Sequence, residues 1–312
     1  MSGTSSPRYK CLLCQKTFTP GETLKRAKKD KSFFRLFKRW VTTGNKISDL
    51  TSARICSKTV QRYFYRFLDH PPQPQKLKSR KEVYLKIDGT YFKRWGCALV
   101  YKADQRIIFW DFVKRENYFS YYLNLKQIKS SGYLIKGITS DKHGSLIAAV
   151  KQLFPNIPHQ HCLVHRQRSC QSLLTQKPQT EAGIQLLELV KQLNKITNHY
   201  EVNIWLKWLE RLIERHESFV SQRTYGVNEK TGKNTWWYTH KNLRAAFRNI
   251  RNSKNNLFLY LDYPGLAKDT NGLEAEFSHL KRKLSLHRGL KRRRKVNFVK
   301  WYFYFKSISK NS

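Results

Sequence analysis

Between residues 83 and 164 the sequence alternates short strand-like runs with stretches of helix length, and that order leaves few folds open. Val83 to Ile87, Gly96 to Tyr101 and Arg106 to Val113 are rich in β-branched and aromatic residues and separated by turn-like gaps. This predicts three consecutive strands in a meander. Asn117 to Lys129 reads as a helix, Tyr133 to Thr139 as a fourth strand, His143 to Phe154 as a second helix and Pro158 to Val164 as a fifth strand. The order β-β-β-α-β-α-β predicts an α/β chain built on a mixed sheet with helices packed on it.

On either side the pattern changes. His70-Pro71-Pro72-Gln73-Pro74-Gln75 is stiff and polar and reads as a linker. From about Gln176 to Asp262 the strand signal disappears. Trp205, Trp208, Leu209, Leu212 and Ile213 fall on one helical face, and Ile184, Leu187, Val190 and Leu193 suggest a helix before it. This block is expected to be a helical insertion. The chain from Asn271 resumes as a helix followed by a basic run.

Lys and Arg number 61 against 21 Asp and Glu, a net charge of +40. Such an excess repels itself unless a polyanion shares the surface, so nucleic acid is the expected partner. With 18 Phe, 17 Tyr and 8 Trp the chain can bury a substantial core, which excludes a disordered tail or a rod. No apolar run approaches eighteen residues and no secretory leader pattern opens the sequence, so no membrane association is expected. Six cysteines in so long a chain do not suggest a disulfide framework; a reducing, cytoplasmic and nucleoid-associated location follows as an expectation.

Ahead of the linker, Ile47 to Leu68 has the pattern of a helix-turn-helix. Ile47, Leu50 and Ile55 can face inward, Ser57 can cap a second helix, and Val60, Phe64 and Phe67 form its buried stripe. Lys58, Thr59, Gln61 and Arg62 are left on the outer face, where a recognition helix meets the major groove. An ordinary helical hairpin would give the same pattern; the charge favours DNA. Cys11-Leu12-Leu13-Cys14 supplies two of the four ligands a structural zinc needs, and reads as a truncated zinc-ribbon remnant without bound zinc.

Two carboxylates stand at strand ends: Asp88 in Ile87-Asp88-Gly89-Thr90 and Asp141 in Ser140-Asp141-Lys142-His143-Gly144. If the first and fourth strands are neighbours, the two acids lie side by side, a costly arrangement that a divalent cation between hard oxygen ligands would relieve. Asp269-Thr270-Asn271-Gly272-Leu273-Glu274-Ala275-Glu276 offers a third acid. Asn271 can cap a helix there, which would place Glu274 in a capping box.

In this order the elements resemble the DDE transposases of bacterial insertion sequences, in particular the Mutator-like group. Further likeness lies in Phe154-Pro155-Asn156, in Gln160-His161-Cys162-Leu163-Val164-His165 with its C-x-x-H, and in Leu284-Ser285-Leu286-His287-Arg288-Gly289-Leu290. The resemblance implies a ribonuclease-H-like core over 81–175, an all-helical insertion over 176–262 and a final catalytic helix with basic tail over 263–312. Ahead of these it implies a ribbon remnant over 1–19, a helix-turn-helix domain over 20–70 and a linker over 71–80. It also implies metal-dependent DNA cleavage and strand transfer at terminal inverted repeats by a homo-oligomer on double-stranded DNA. Asp88, Asp141 and Glu274 would be both catalytic residues and ligands of two Mg²⁺ ions, with Mn²⁺ able to substitute. The shortened ribbon departs from the family pattern and suggests a decayed copy.

From Lys281 to Trp301 there are ten Lys and Arg and no acid. Following the proposed catalytic helix, this run assigns Lys281, Arg282, His287, Arg288, Arg292 and Arg293 to phosphate contact. Trp236 and Trp237, near Lys233, Lys241 and Arg244, read either as stacking platforms for an unpaired base or as core. His159, His161, Cys162 and His165 lie close together, but alternating positions on a short strand would face opposite ways, so they are left out of the metal set. The competing reading from another class is a noncatalytic helix-turn-helix DNA-binding protein, which needs no metal. A ribonuclease would share the acids without explaining the long insertion.

Overall fold

The structure is a computed structural model that describes residues 8–13, 15, 17–18, 22–51, 55–74 and 80–309. It divides into two compact units, Met1–Gln73 with Ser278–Ser312, and Pro74–Phe277.

The first unit opens with a two-stranded ribbon, Tyr9–Lys10 (β1) against Thr17–Phe18 (β2). Cys11 is half-buried beside it, whereas Cys14 lies outside the described residues. Glu22–Thr43 (α1) is a 22-residue helix that the sequence pattern did not announce. A single 3₁₀ turn, Ser48–Leu50, leads to Ser57–Leu68 (α2). Ser57 is the first helical residue and not its cap; Cys56 holds the cap position without a capping bond, its thiol lying 3.3 Å from Thr59 Oγ1. Val60, Phe64 and Leu68 are buried, and Phe67 only half so.

The second unit carries a five-stranded sheet of Lys81–Tyr91 (β3), Cys97–Ala103 (β4), Arg106–Val113 (β5), Tyr133–Ser140 (β6) and His159–His161 (β7), in the order β5-β4-β3-β6-β7. The first three strands pair antiparallel as a meander, and β6 and β7 add parallel. Tyr118–Ser130 (α3), whose first turn is capped by Asn117, and Gly144–Leu153 (α4) cover one face through Tyr121, Leu125, Ile128, Leu146 and Val150. Against them the sheet turns Leu85 and Ile87. By strand alternation Asp88 therefore leaves from the opposite face.

The fifth strand is shorter than expected. It ends at His161, and Leu163–Leu174 (α5) begins at once. Glu181–Lys191 (α6), His199–Val220 (α7) and, farther on, Lys241–Arg251 (α8) share a core of Leu186, Val190, Trp205, Leu209, Ala246 and Ile250. Trp208, expected on the buried face, is 52% exposed. Between α7 and α8 the insertion departs from the all-helical expectation, because Arg223–Val227 (β8) and Asn234–Tyr238 (β9) form a β-hairpin. Its turn closes on Asn228, whose side-chain oxygen accepts from the Lys230 and Thr231 amides, and on Gly232 at φ +65°.

Asn271–Ser285 (α9) and Arg292–Ile308 (α10) end the chain. The stretch expected to hold together as 263–312 is parted after Phe277, and α10 is a core helix of the first unit where a basic tail was expected. Phe34 and Phe37 of α1 meet Phe67 of α2 and Trp301 and Phe305 of α10 at ring-centroid distances of 5.2–6.1 Å. Asn297 and Trp301 also donate to the Leu68 and Phe67 carbonyls at 2.8 and 2.9 Å, satisfying groups that the end of α2 leaves open. Arg294 grips Asp69 with two nitrogens at 3.1 and 2.9 Å.

Phe37, fully buried at the centre of these rings, should cost about 3–5 kcal/mol on replacement by Ala. Denaturant unfolding followed by near-ultraviolet circular dichroism measures it. A fragment ending at residue 290 should lose the aromatic signal of this unit, since α10 supplies one wall. A fragment that keeps the signal would show that α10 is dispensable.

Candidate active site

The site is assembled where β3 and β6 run side by side. Their parallel register sets Ile87 opposite Ser140, so Asp88 and Asp141 are the next residues on adjacent strands. Asp88 is 9% exposed, and its side chain accepts from the Gly89 amide at 2.8 Å. Burial pushes its carboxyl up to about 7, with the Glu274 and Asp141 charges adding and His165 and the Gly89 N–H opposing. A Cβ at Gly89 would lie 2.5 Å from Glu116 Oε1, so a side chain there would displace that carboxylate. Glu116 itself accepts from Tyr121 Oη at 2.9 Å and Cys97 Sγ at 3.2 Å, a buried polar support that no sequence pattern indicated.

Cys162 places the other two elements. Its backbone N–H donates to Ser140 O at 2.8 Å, and its thiol accepts from the Thr270 amide at 3.4 Å. The Leu163 amide donates to Lys268 O at 3.1 Å and Thr139 Oγ1 to Ala267 O at 2.6 Å, so the segment before α9 is stitched to the sheet. Asn271 is the first residue of α9, and Glu274 makes no capping box. Its carboxylate faces inward to His165 Nε2 at 3.4 Å and to Arg168.

His165 is therefore part of the site, contrary to the reading of 158–164 as a strand. Cys162 stands just ahead of α5 and His165 lies in its first turn; a spacing of three that separates residues on a strand brings them to one face of a helix. One ligand atom each from Asp88, His165 and Glu274 lies within 4.8 Å of the others. The hydrogen bond with Cys162, then the charges of Cys162, Asp88 and Asp141, push His165 up to about 9 against its burial.

Asp141 is not in that group. Its carboxylate pairs with the buried Arg166 and accepts from the Lys142 amide. Asp88, His165 and Glu274 fit a divalent cation: two carboxylates and an imidazole converge, and Glu274 Oε1 is buried without a hydrogen-bond partner. Asp141 would join them only by exchanging Arg166 for the ion.

Of the residues assigned to DNA, Lys58, Gln61 and Arg62 are exposed along α2, while Thr59 is half-buried. Lys281, Arg282, Arg288, Arg292 and Arg293 are exposed. His287 is not at the surface. Burial against Trp40 and Phe298 pushes its imidazole down to about 4, so it serves the aromatic core.

A mixed sheet that brings carboxylates of two adjacent strands and a following helix to one edge defines a class of candidate metal-dependent enzymes. The sequence pattern of the IS66 family of transposases matches residues 134–292, and the chain belongs to that family. This corrects the likeness to the Mutator-like group, which is a different family. No curated protein matches the chain. Among solved structures, the Drosophila P element transposase strand transfer complex is 12% identical over 85% of this chain and 78% of that one, with a TM-score of 0.23.

Two raised groups, Asp88 and His165, work against three histidines that burial lowers, His159 and His287 to about 4 and His161 to about 3, in the pH dependence of the metal-free protein. Folded Asp88 keeps its proton from the ordinary carboxylate range up to about 7, and folded His165 keeps its proton from about 6.5 to 9. At each of these two groups the unfolded chain binds fewer protons, so the stability that group contributes falls as pH rises through its window, whereas each lowered histidine adds stability as pH rises toward 6.5. In chelator, Asp88→Asn should remove the lower window, gaining up to about 4 kcal/mol on the wild type by pH 7. Thermal or denaturant melts of both proteins from pH 4 to 9 check this; parallel curves between pH 4 and 7 would contradict it.

Proposed function

We propose that this chain is an active-site-competent transposase that cleaves and rejoins DNA strands at the ends of an insertion sequence. The observation that carries the reading is the convergence of Asp88, Glu274 and His165 at one sheet edge in a member of the IS66 family. The strand order, a meander extended by two parallel strands, supports a ribonuclease-H-like core. Divalent cations bound at these residues, Mg²⁺ or Mn²⁺, would activate a water or DNA 3′-hydroxyl and stabilise the leaving oxygen.

The chain's own groups prepare that chemistry. Asp88, held protonated near neutrality by burial, gives up its proton when positive charge enters beside it. His165 and Arg168 hold Glu274, and Arg166 holds Asp141, so these two acids keep their places through ion pairs. Arg168, with its side chain 58% exposed, can turn from Glu274 to a phosphate as the acid takes up a metal.

On this reading the partner is double-stranded DNA, bound by a homo-oligomer in the cytoplasm at the nucleoid. Lys58, Gln61 and Arg62 on α2 would meet the terminal repeat in the manner of a helix-turn-helix, and Lys281, Arg282, Arg288, Arg292 and Arg293 would contact phosphates.

Nicking of a supercoiled plasmid carrying the element's ends tests the proposal. Asp88→Asn, Asp141→Asn and Glu274→Gln should each lower Mg²⁺-dependent nicking at least a hundredfold, about 3 kcal/mol on the barrier, with DNA binding within threefold of wild type. Glu276→Gln should nick normally, because its side chain leaves α9 roughly 200° around from Glu274. Full activity in Asp88→Asn or Glu274→Gln would end the mechanism.

A further inference from the structure

The β8–β9 hairpin exposes aromatic surface that the rest of the second unit does not use. Tyr225 is 72% exposed, Val227 62%, Trp237 50% and Trp236 45%. None of its residues joins the core shared by α5 to α8. It is nevertheless firmly held. The Thr239 amide donates to Gln222 O at 3.0 Å at the base, and His240 stacks on Phe219 at 3.9 Å. At the tip, the Asn228 and Gly232 amides close the turn at 2.9 and 2.8 Å.

The two faces carry different platforms. Cross-strand register pairs Tyr225 with Trp236 and Arg223 with Tyr238 on one face. There the Arg223 guanidinium lies 4.2 Å from the Trp236 ring centroid, and Arg244 lies 3.8 Å from that of Tyr238. On the other face Trp237 spreads over Gly226, where a Cβ would come within 3.1 Å of its ring. From Arg223 to Arg244 the sequence has five cations and a single acid, Glu229.

We infer that this hairpin is a binding site for unpaired DNA, with bases stacking on Trp236 and Trp237 and phosphates meeting Arg223, Lys233 and neighbouring cations. Charge complementarity selects a polyanion. Exposed indoles on both faces select unpaired bases, because the π-faces of a duplex are already covered by stacking. The inference rests on the transposase reading only in taking the strand to be DNA.

Full-length protein in chelator, where no cleavage occurs, is titrated into a single strand of about 20 nucleotides carrying 2-aminopurine, and into the matching duplex. Trp236→Ala with Trp237→Ala should weaken single-strand binding at least tenfold and duplex binding less than twofold. The double Phe variant, which keeps a stacking ring at each position, should stay within threefold of wild type. Unchanged single-strand affinity in the Ala variant overturns the inference. So does an equal loss on both probes, which marks a charge or folding effect, or a change in oligomeric state alone, which marks a protein interface. None of these outcomes depends on the carboxylates, and a failed nicking assay leaves this measurement standing.

Discussion

The Cys162 backbone N–H reaches back to Ser140, its thiol takes a hydrogen bond from Thr270, and its own position is the hinge between β7 and α5. Those contacts join the ends of three elements that are remote in sequence. The parallel pairing of β3 and β6 places Asp88 beside Asp141, and the Cys162 contacts, with those of Leu163 to Lys268 and Thr139 to Ala267, bring Glu274 to them. A buried thiol suits this junction. It is compact enough for the close approach of α5 and α9, and as a weak acceptor it satisfies the Thr270 amide.

Electrostatics then decides how the acids are kept in place. In a chain with a net charge of +40, two of them are held by cations: Asp141 by Arg166, and Glu274 by Arg168 with His165. Asp88, the most buried of the three, takes no guanidinium and is the one whose proton affinity rises. Like charges that would repel in isolation are thus distributed between ion pairing and protonation.

The parts of this arrangement legible in the sequence were those that depend on local periodicity. The meander, the helices after it and the adjacency of Asp88 and Asp141 follow from alternating runs whose signal lies within ten residues of each position. What the sequence hid depends on distant partners or on a short run. Pro158 to Val164 is too brief to separate strand from helix, and the assignment of Cys162 and His165 turned on that choice. The burial of α1 needs Trp301 and Phe305, more than 250 residues downstream, so its aromatic residues had no visible partner. His287 sat in a run of cations and was read with them, although Trp40 removes it from the surface. The β8–β9 hairpin was masked by its six-residue polar turn, and its Trp-Trp-Tyr strand reads equally as the apolar face of a helix.

Because α10 completes the aromatic core begun by α1 and α2, the first unit cannot finish folding while the ribosome is still making the chain's last helix. Until then Phe34, Phe37 and Trp40 have only Phe64 and Phe67 of α2 to pack against, and the wall that Trp301 and Phe305 supply is missing. A frameshift or premature stop between Leu68 and Arg292 therefore leaves that aromatic face without its third helix and open to proteolysis.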